Sequence, residues 1–133
     1  MSSSMYELRV YYEDTDCGQV VYYSNYLRFF ERSRTEFMRE RGVDIKDMMA
    51  RDVHFVVTRI EVDFKAPAMY GDVLQIETSI TEGTKVRFEF SYIIREKISQ
   101  RVLVTGKTVI ACITDNSKPQ RIPQDVYAKL FKE

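Results

Sequence analysis

The sequence predicts an α+β domain: an antiparallel sheet of about five strands, strongly curved, with one long apolar helix on its concave face. Three observations predict this fold. One strand-like segment precedes a long segment of helical periodicity, four strand-like segments follow it, and the connections among those four are short. Short connections favour antiparallel neighbours, because parallel strands need a crossover of a dozen or more residues.

The first strand and the long helix are predicted near the N-terminus. Residues 5–12 alternate apolar and polar side chains, which is typical of a half-buried strand, and residues 13–18 have turn composition. Apolar side chains then recur at steps of three and four from Ser24 or Asn25, either of which can cap a helix. Gly42 is a natural stop for that helix.

The remainder of the chain is predicted to be mostly strands. Each strand-like segment alternates in polarity and is bounded by turn residues. The predicted elements are a short helix at 44–50, strands at 53–64, 73–81, 85–95 and 101–114, and a terminal helix at 123–132. Residues 1–4 are expected to be a flexible N-terminal end, and 5–133 a single domain.

The composition limits the possible functions. Lys plus Arg and Asp plus Glu balance at 20 each, so the net charge gives no reason to expect nucleic acid as a partner. Cys17 and Cys112 lie far apart and fit no metal-ligand spacing, which favours a reduced, cytoplasmic setting without a metal site. No apolar run is long enough for an integral membrane segment.

A carboxylate cluster precedes the predicted long helix. Glu13, Asp14 and Asp16 lie just before it, and a helix N-terminus exposes unpaired N–H groups with partial positive charge. An acid beside such an end suits chemistry on a polarised carbonyl group. For an arbitrary Asp in such a loop, however, a turn residue that accepts backbone N–H bonds is the better interpretation.

Two segments resemble a known enzyme family. Residues 14–36 read DTDCGQVVYYSNYLRFFERSRTE, which resembles the opening motif of the hotdog-fold 4-hydroxybenzoyl-CoA thioesterase family, and in particular its Tol-Pal-associated, YbgC-type acyl-CoA thioesterase branch. Residues 56–72, VVTRIEVDFKAPAMYGD, resemble that family's strand followed by a Pro-Ala turn. With the order of elements, the resemblance covers nearly the whole chain.

The resemblance implies a function and an assembly. It implies hydrolysis of an acyl-CoA, with coenzyme A as part of the substrate and no cofactor, and it makes acyl carrier protein a further candidate partner. It implies a homodimer whose two sheets join, often paired again into a homotetramer, with active sites at the subunit interface. Asp16 matches the family's catalytic carboxylate, nucleophile or general base, and Tyr23 matches the helix-entry residue whose backbone N–H binds the thioester carbonyl.

One position departs from the YbgC-type branch. Many of its members carry His where this chain has Tyr23, whereas the 4-hydroxybenzoyl-CoA thioesterases resemble this chain in having Tyr. A backbone contact survives that change, but a side-chain imidazole role does not. The acyl group is therefore expected to be either short and aliphatic or aromatic.

Several residues are candidates for substrate binding, each with a structural alternative. Tyr22 and Tyr26 suit the wall of an acyl pocket or core packing, and Asn25 suits a substrate contact or a helix cap. Coenzyme A carries phosphates, so its site should present Lys or Arg. Candidates on or beside strands are Arg59, Lys65 and Arg87, although most charges on strands merely face solvent.

Other function classes remain as rivals. A hotdog-fold module that binds acyl-CoA or acyl carrier protein without turnover could dispense with Asp16, whose presence favours an enzyme. A dehydratase of this fold relies on a His beside the motif, but the only His, His54, lies outside it. For the same reason a Cys17–His nucleophilic pair is a poor interpretation.

Overall fold

The structure of the protein, a computed structural model, describes residues 3–131. Five strands and three helices make up this part of the chain, with a 3₁₀ turn at Tyr12–Asp14 between the first strand and the first helix. The elements are β1 Ser3–Arg9, α1 Asn25–Glu40, α2 Ile45–Ala50, β2 His54–Phe64, β3 Val73–Gly83, β4 Arg87–Glu96, β5 Val102–Ile113 and α3 Gln124–Leu130. No helix within these residues is long and apolar enough to cross a membrane.

The five strands form one antiparallel sheet in the order β1-β3-β4-β5-β2. α1 packs across one face, called here the helix-bearing face, and the opposite face is the outer face. The predicted α+β fold, a five-stranded sheet around one long helix, is confirmed. β1 and β2 are the edge strands, because each pairs with a single neighbour in the described chain.

The N-terminal strand starts and ends earlier than predicted. Of the end predicted to be flexible, residues 1–2 lie outside the described residues, whereas Ser3 and Ser4 pair with β3. β1 ends at Arg9 because the backbone of Val10 turns to the loop before β3, where its N–H donates to the Asp72 carbonyl over 2.8 Å. Residue 132, the last of the predicted terminal helix, also lies outside the described range.

A one-residue bulge divides β2. Val57 lies opposite Ile110 of β5 and Arg59 lies opposite the next residue, Val109, so Thr58 is extra. The bulge shifts the alternation by one residue, so Ile60 faces α1 on the same side as Val57. The sequence predicted strict alternation through residues 53–64, which would put these two side chains on opposite faces.

The core lies between α1 and the helix-bearing face. Phe30 of α1 stacks on Tyr92 of β4 with ring centroids 4.2 Å apart. Its ring also covers Gly106 of β5, where an added Cβ would lie 2.6 Å from the Phe30 ring atoms. Burying each large apolar side chain stabilises the fold by about 1.5–3 kcal/mol. The largest fully buried side chains are Tyr92, Phe29, Phe30, Phe37, Phe88, Phe90, Leu74, Ile76, Ile80, Ile94, Val10 and Val43.

The C-terminal end of α1 is capped by backbone hydrogen bonds and by the Arg41 side chain. Gly42 adopts φ +80° and donates to the Arg39 carbonyl, and Val43 donates to the Met38 carbonyl, which is the hydrogen-bond pattern of a Schellman cap. The Arg41 guanidinium lies 3.5 Å from the centroid of the Phe37 ring and donates to the Phe37 carbonyl. The carbonyl groups of Phe37, Met38 and Arg39 at this end of the helix thus accept hydrogen bonds from neighbours within the fold.

Candidate functional site

Asp16 lies in a tight hairpin formed by residues 14–22, called here the Asp16 hairpin. The Tyr22 N–H donates to the Asp14 carbonyl, and the Asp16 N–H donates to the Val20 carbonyl, both over 3.0 Å. Gln19 has φ +63°, which lets the chain reverse at the tip. The predicted turn composition therefore produces a hydrogen-bonded loop that carries Asp16 on the arm before its tip.

Only one oxygen of the Asp16 carboxylate takes part in the hydrogen bonds of the turn. Its Oδ1 accepts the Gly18 N–H over 2.8 Å. Within residues 3–131, no group donates to its Oδ2. The turn interpretation therefore accounts for one oxygen, and the second oxygen is available for chemistry.

A loop before β3 joins the hairpin to the helix. The Val21 N–H donates to the Ala68 carbonyl over 2.9 Å, and the Ala68 N–H donates to the Tyr26 hydroxyl over 3.1 Å. Tyr26 is 3% exposed, and burial raises the pKa of its hydroxyl. The geometry of this chain therefore assigns Tyr26, a candidate for substrate binding, to the core, because its ring and its hydroxyl are both engaged there.

Asn25 connects the hairpin to α1 directly. Its side-chain Nδ2 donates to the Asp14 carbonyl over 2.8 Å. Of the two residues predicted to cap the helix, Ser24 occupies the N-cap position, but its side chain makes no capping hydrogen bond. The Asn25 amide thus fastens the loop rather than capping the helix.

The N-terminal end of α1 is left open. Within the described chain, neither the Tyr23 N–H nor the Ser24 N–H donates a hydrogen bond, and the first turn of α1 contains no acid. α2 differs, because the Asp44 side chain accepts the Lys46 N–H over 2.9 Å. Unpaired N–H groups and an uncompensated helix dipole make the start of α1 a place where developing negative charge is stabilised.

Three exposed aromatic rings surround this open end. Tyr22, Tyr23 and Phe64 are 46%, 63% and 56% exposed. The Tyr23 ring centroid lies 4.8 Å from that of Tyr22 and 6.5 Å from that of Phe64, and a hydrogen bond with Tyr23 raises the pKa of the Tyr22 hydroxyl. Phe64 was missed by sequence reasoning, because the bulge in β2 decides which face it occupies.

The three basic residues predicted to bind coenzyme A lie in two separate places. Arg59 and Arg87 line one depression of about 790 Å³, called here the Arg87 depression. Lys65 follows Phe64 instead, about 20 Å from Arg59 for an extended strand. Glu82 and Glu89 also line the Arg87 depression, so its two cations are matched by two acids.

A second depression has a different charge. Lys85, Arg121 and Tyr127 line a space of about 540 Å³, called here the Arg121 depression, and none of its described lining residues is acidic. The Ile122 N–H donates to the Lys85 carbonyl over 2.7 Å, which brings the two distant segments together. Sequence reasoning missed this site because only the tertiary fold joins Lys85 to Arg121.

The remaining reactive side chains do not meet Asp16. His54 lies at the start of β2, where its Nε2 is 3.1 Å from Asp52 Oδ1. Cys17 is exposed, whereas Cys112 is buried, and burial raises the pKa of its thiol. The described residues contain no group of three or more His, Cys, Asp or Glu side chains that could hold a metal ion.

The comparison with protein families matches the chain over almost its whole length. The model described as "Thioesterase-like superfamily" matches residues 10–130. The chain belongs to the thioesterase-like superfamily. Acyl-CoA thioester hydrolase YbgC of Escherichia coli O6:H1 is 37% identical to it over 129 residues, which cover 95% of this chain and 93% of the relative. Acyl-CoA thioesterase YbgC of Haemophilus influenzae is 34% identical, over 92% of this chain and 90% of the relative.

Solved structures of this superfamily share the fold. A 1,4-dihydroxy-2-naphthoyl-CoA thioesterase from Synechocystis superposes with a TM-score of 0.90 at 26% identity, over 97% of this chain and 96% of that one. The resemblance to the hotdog-fold thioesterases and their YbgC-type branch is therefore confirmed.

Proposed function

We propose that the protein is an acyl-CoA thioesterase that hydrolyses a short-chain or aromatic acyl-CoA to the free acid and coenzyme A. The observation that carries the proposal is the open end of α1, with the unpaired Tyr23 N–H, fastened to a hairpin whose Asp16 keeps one free carboxylate oxygen. Membership of the thioesterase-like superfamily and 37% identity to a YbgC hydrolase support it.

The proposed chemistry uses both groups. The thioester carbonyl accepts the Tyr23 N–H, and the oxyanion of the tetrahedral intermediate develops at the positive end of the helix. Asp16 either removes a proton from water, which attacks the carbonyl carbon, or attacks that carbon itself to form an anhydride that water then cleaves. In both routes the C–S bond breaks, coenzyme A leaves as its thiol, and one water is consumed.

The aromatic rings of Tyr22, Tyr23 and Phe64 form the proposed acyl wall. Aromatic side chains supply apolar contact area and prefer offset or edge-to-face neighbours, so both an aromatic and a short aliphatic acyl group suit them. We propose that Tyr22 contacts the acyl group, while Tyr26 supports the wall from below, with its ring centroid 5.7 Å from that of Phe64.

Two surfaces compete for the phosphates of coenzyme A. The Arg87 depression contains the predicted residues Arg59 and Arg87, but Arg59 pairs with Glu61 over 2.5 Å and two further acids line the space. The Arg121 depression presents Lys85 and Arg121 without a described acid, beside the Tyr127 ring. Because phosphate needs uncompensated cations, we propose the Arg121 depression. The double variant Lys85→Ala/Arg121→Ala should then raise KM for acyl-CoA more than Arg59→Ala/Arg87→Ala does.

We also propose that the active protein is a homodimer that joins through β2 and pairs further into a homotetramer. The outer edge of β2 carries no partner strand in the described chain, and Val57, Ile60 and Phe64 of this strand are exposed. An exposed, apolar edge strand is a template for pairing with a second copy. Sedimentation tests this, since a stable monomer with full activity would contradict an interfacial site.

The deciding experiment measures hydrolysis of a panel of acyl-CoAs and acyl carrier protein thioesters by wild type and Asp16→Asn. Because Cys17 is exposed and would consume a thiol reagent, the acid product is followed by mass spectrometry. We expect turnover by wild type and a loss of about 10²–10⁴-fold in the variant. Binding without turnover of any thioester would instead favour the non-catalytic module, and an equally fast variant would remove Asp16 from the mechanism.

A further inference from the structure

We propose that Asn25 is a positioning residue that holds the Asp16 hairpin against the open end of α1. In this role it sets where the Asp16 carboxylate stands relative to the Tyr23 N–H. The inference rests on the proposed thioesterase function. It gives Asn25 a role in the reaction without contact to the substrate.

The geometry of one carbonyl group carries the inference. The Asp14 carbonyl accepts two hydrogen bonds, one from the Tyr22 N–H over 3.0 Å and one from Asn25 Nδ2 over 2.8 Å. The Tyr22 bond closes the hairpin upon itself. The Asn25 bond joins the hairpin to the first residue of α1. Removing the Asn25 amide would thus leave the hairpin closed but without its side-chain bond to the first residue of α1.

The Asn25 bond is a side-chain connection between the segments that carry the two proposed catalytic groups. Asp16 lies two residues after Asp14, and Tyr23 lies two residues before Asn25. The hairpin is also attached to the loop before β3, because the Val21 N–H donates to the Ala68 carbonyl and the Tyr70 N–H donates to the Gln19 carbonyl. These two bonds hold the tip and the opposite arm, whereas Asn25 is a side chain of α1 that bonds directly to the arm that carries Asp16.

Catalysis is more sensitive than folding to such a change. A displacement of about 1 Å of a reacting group can cost about a hundredfold in rate, whereas losing one partly buried hydrogen bond costs about 1 kcal/mol of stability. We expect Asn25→Ala to lower kcat about tenfold and to leave KM within about twofold of wild type.

A double-mutant cycle with Asp16 separates positioning from substrate contact. If Asn25 acts through Asp16, the double variant Asp16→Asn/Asn25→Ala hydrolyses thioester at the residual rate of Asp16→Asn alone in single-turnover measurements. A further tenfold loss in the double variant would show that Asn25 acts independently, and a rise in KM without a fall in kcat would show a substrate contact. Either result overturns the inference.

Asn25→Asp provides the matched control for stability. Aspartate has the size of asparagine but donates no hydrogen bond when ionised, and a negative charge in the first turn of a helix is favourable. We expect its Tm to equal or exceed that of wild type while its kcat falls at least as far as that of Asn25→Ala. A parallel fall in Tm and kcat would mean that Asn25 is merely structural.

The two proposals fail in different ways. If Asp16→Asn is as fast as wild type, the proposed role of Asp16 is wrong. If Asp16→Asn is slow and Asn25→Ala is as fast as wild type, the thioesterase proposal stands and only the positioning role of Asn25 is wrong.

Discussion

The two ends of α1 are built differently. At the C-terminal end, Gly42 and Val43 satisfy helix carbonyls, and the Arg41 side chain lies on Phe37. At the N-terminal end, Ser24 makes no side-chain cap and the first turn contains no acid. The same helix is thus capped at its C-terminal end and uncapped at its N-terminal end.

This difference separates stability from function along one element. Unpaired donors at a helix end forgo stabilisation of about 0.5–2 kcal/mol, the usual contribution of a good N-cap. A fold can accept such a cost where the free groups serve chemistry, provided that other contacts compensate. Variants at the closed end should therefore change stability without changing activity, and variants that remove a proposed catalytic or positioning group at the open end should do the reverse.

The largest effect is expected for Phe37→Ala at the closed end. Phe37 is 1% exposed and meets the Phe90 ring edge-on at a centroid distance of 5.4 Å, so its removal leaves a cavity. We expect a loss of about 3–5 kcal/mol in the free energy of unfolding, measured by urea denaturation. Leu27→Ala near the open end, where Leu27 is 36% exposed, should cost less than about 1 kcal/mol. Equal losses would contradict the contrast between the two ends.

Arg41→Ala should have a smaller effect at the same end. The variant loses the hydrogen bonds to the Phe37 carbonyl and to Ser4 Oγ together with the contact to the Phe37 ring. We expect a loss of about 1–2 kcal/mol in the free energy of unfolding. Arg39→Ala, whose exposed side chain pairs with Glu36, should cost no more than about 0.5 kcal/mol. Thioester hydrolysis by both folded variants should match wild type, and a slower Arg41→Ala would break the separation.

A third helix end tests the electrostatic part of the comparison. Arg51 donates to both carboxylate oxygens of Asp125 in the first turn of α3 and lowers the pKa of that carboxyl. Because the folded-state pKa lies below the unfolded one, this stabilisation is present above the unfolded pKa and is lost as the pH falls through the folded pKa. Asp125→Asn should therefore lower Tm at neutral pH, and the difference from wild type should vanish in acid.

Arg51→Gln is the matched control for that pair. It should reproduce the pH dependence of Asp125→Asn, and the double variant should be no less stable than either single one. A Tm difference that persists below the usual pKa range of Asp, about 3.9, would show that another contact is responsible.

The smallest effect is expected for Tyr23→Phe at the open end. Its ring is 63% exposed, and the proposed donor is the backbone N–H, which the substitution keeps. We expect kcat within about threefold of wild type and a stability change within about 0.5 kcal/mol. A loss of about a hundredfold in kcat would show that the hydroxyl takes part in the reaction.

The sequence was sufficient to predict the order of elements, and Asp16 as the acid of the site stays a prediction. The alternation of apolar and polar residues predicted β3 correctly, since Leu74, Ile76 and Ile80 are all buried on the helix-bearing face. The turn composition of residues 13–18 predicted the loop that the structure shows, and the family motif is what points to Asp16 within it. These features are local, so each can be recognised from neighbours in the chain.

The contacts that join distant segments were beyond sequence reasoning. Tyr26 is an aromatic residue near the helix start like Tyr22, and only the Ala68 N–H on its hydroxyl distinguishes a core residue from a pocket residue. The meeting of Lys85 with Arg121 likewise depends on how the C-terminal segment crosses the end of the sheet. Side-chain environment is a tertiary property, which periodicity does not encode.

The bulge at Thr58 means that the number of residues in β2, as well as their types, decides which face each side chain occupies. Its extra residue is what turns Ile60, Val62 and Phe64 toward α1. Deleting Thr58 would restore regular alternation, and those three apolar side chains would point to the outer face. Position 58 should therefore accept many replacements in a mutational scan but no single-residue deletion. In β2, inserting or deleting a residue should therefore disturb the core more than substituting one.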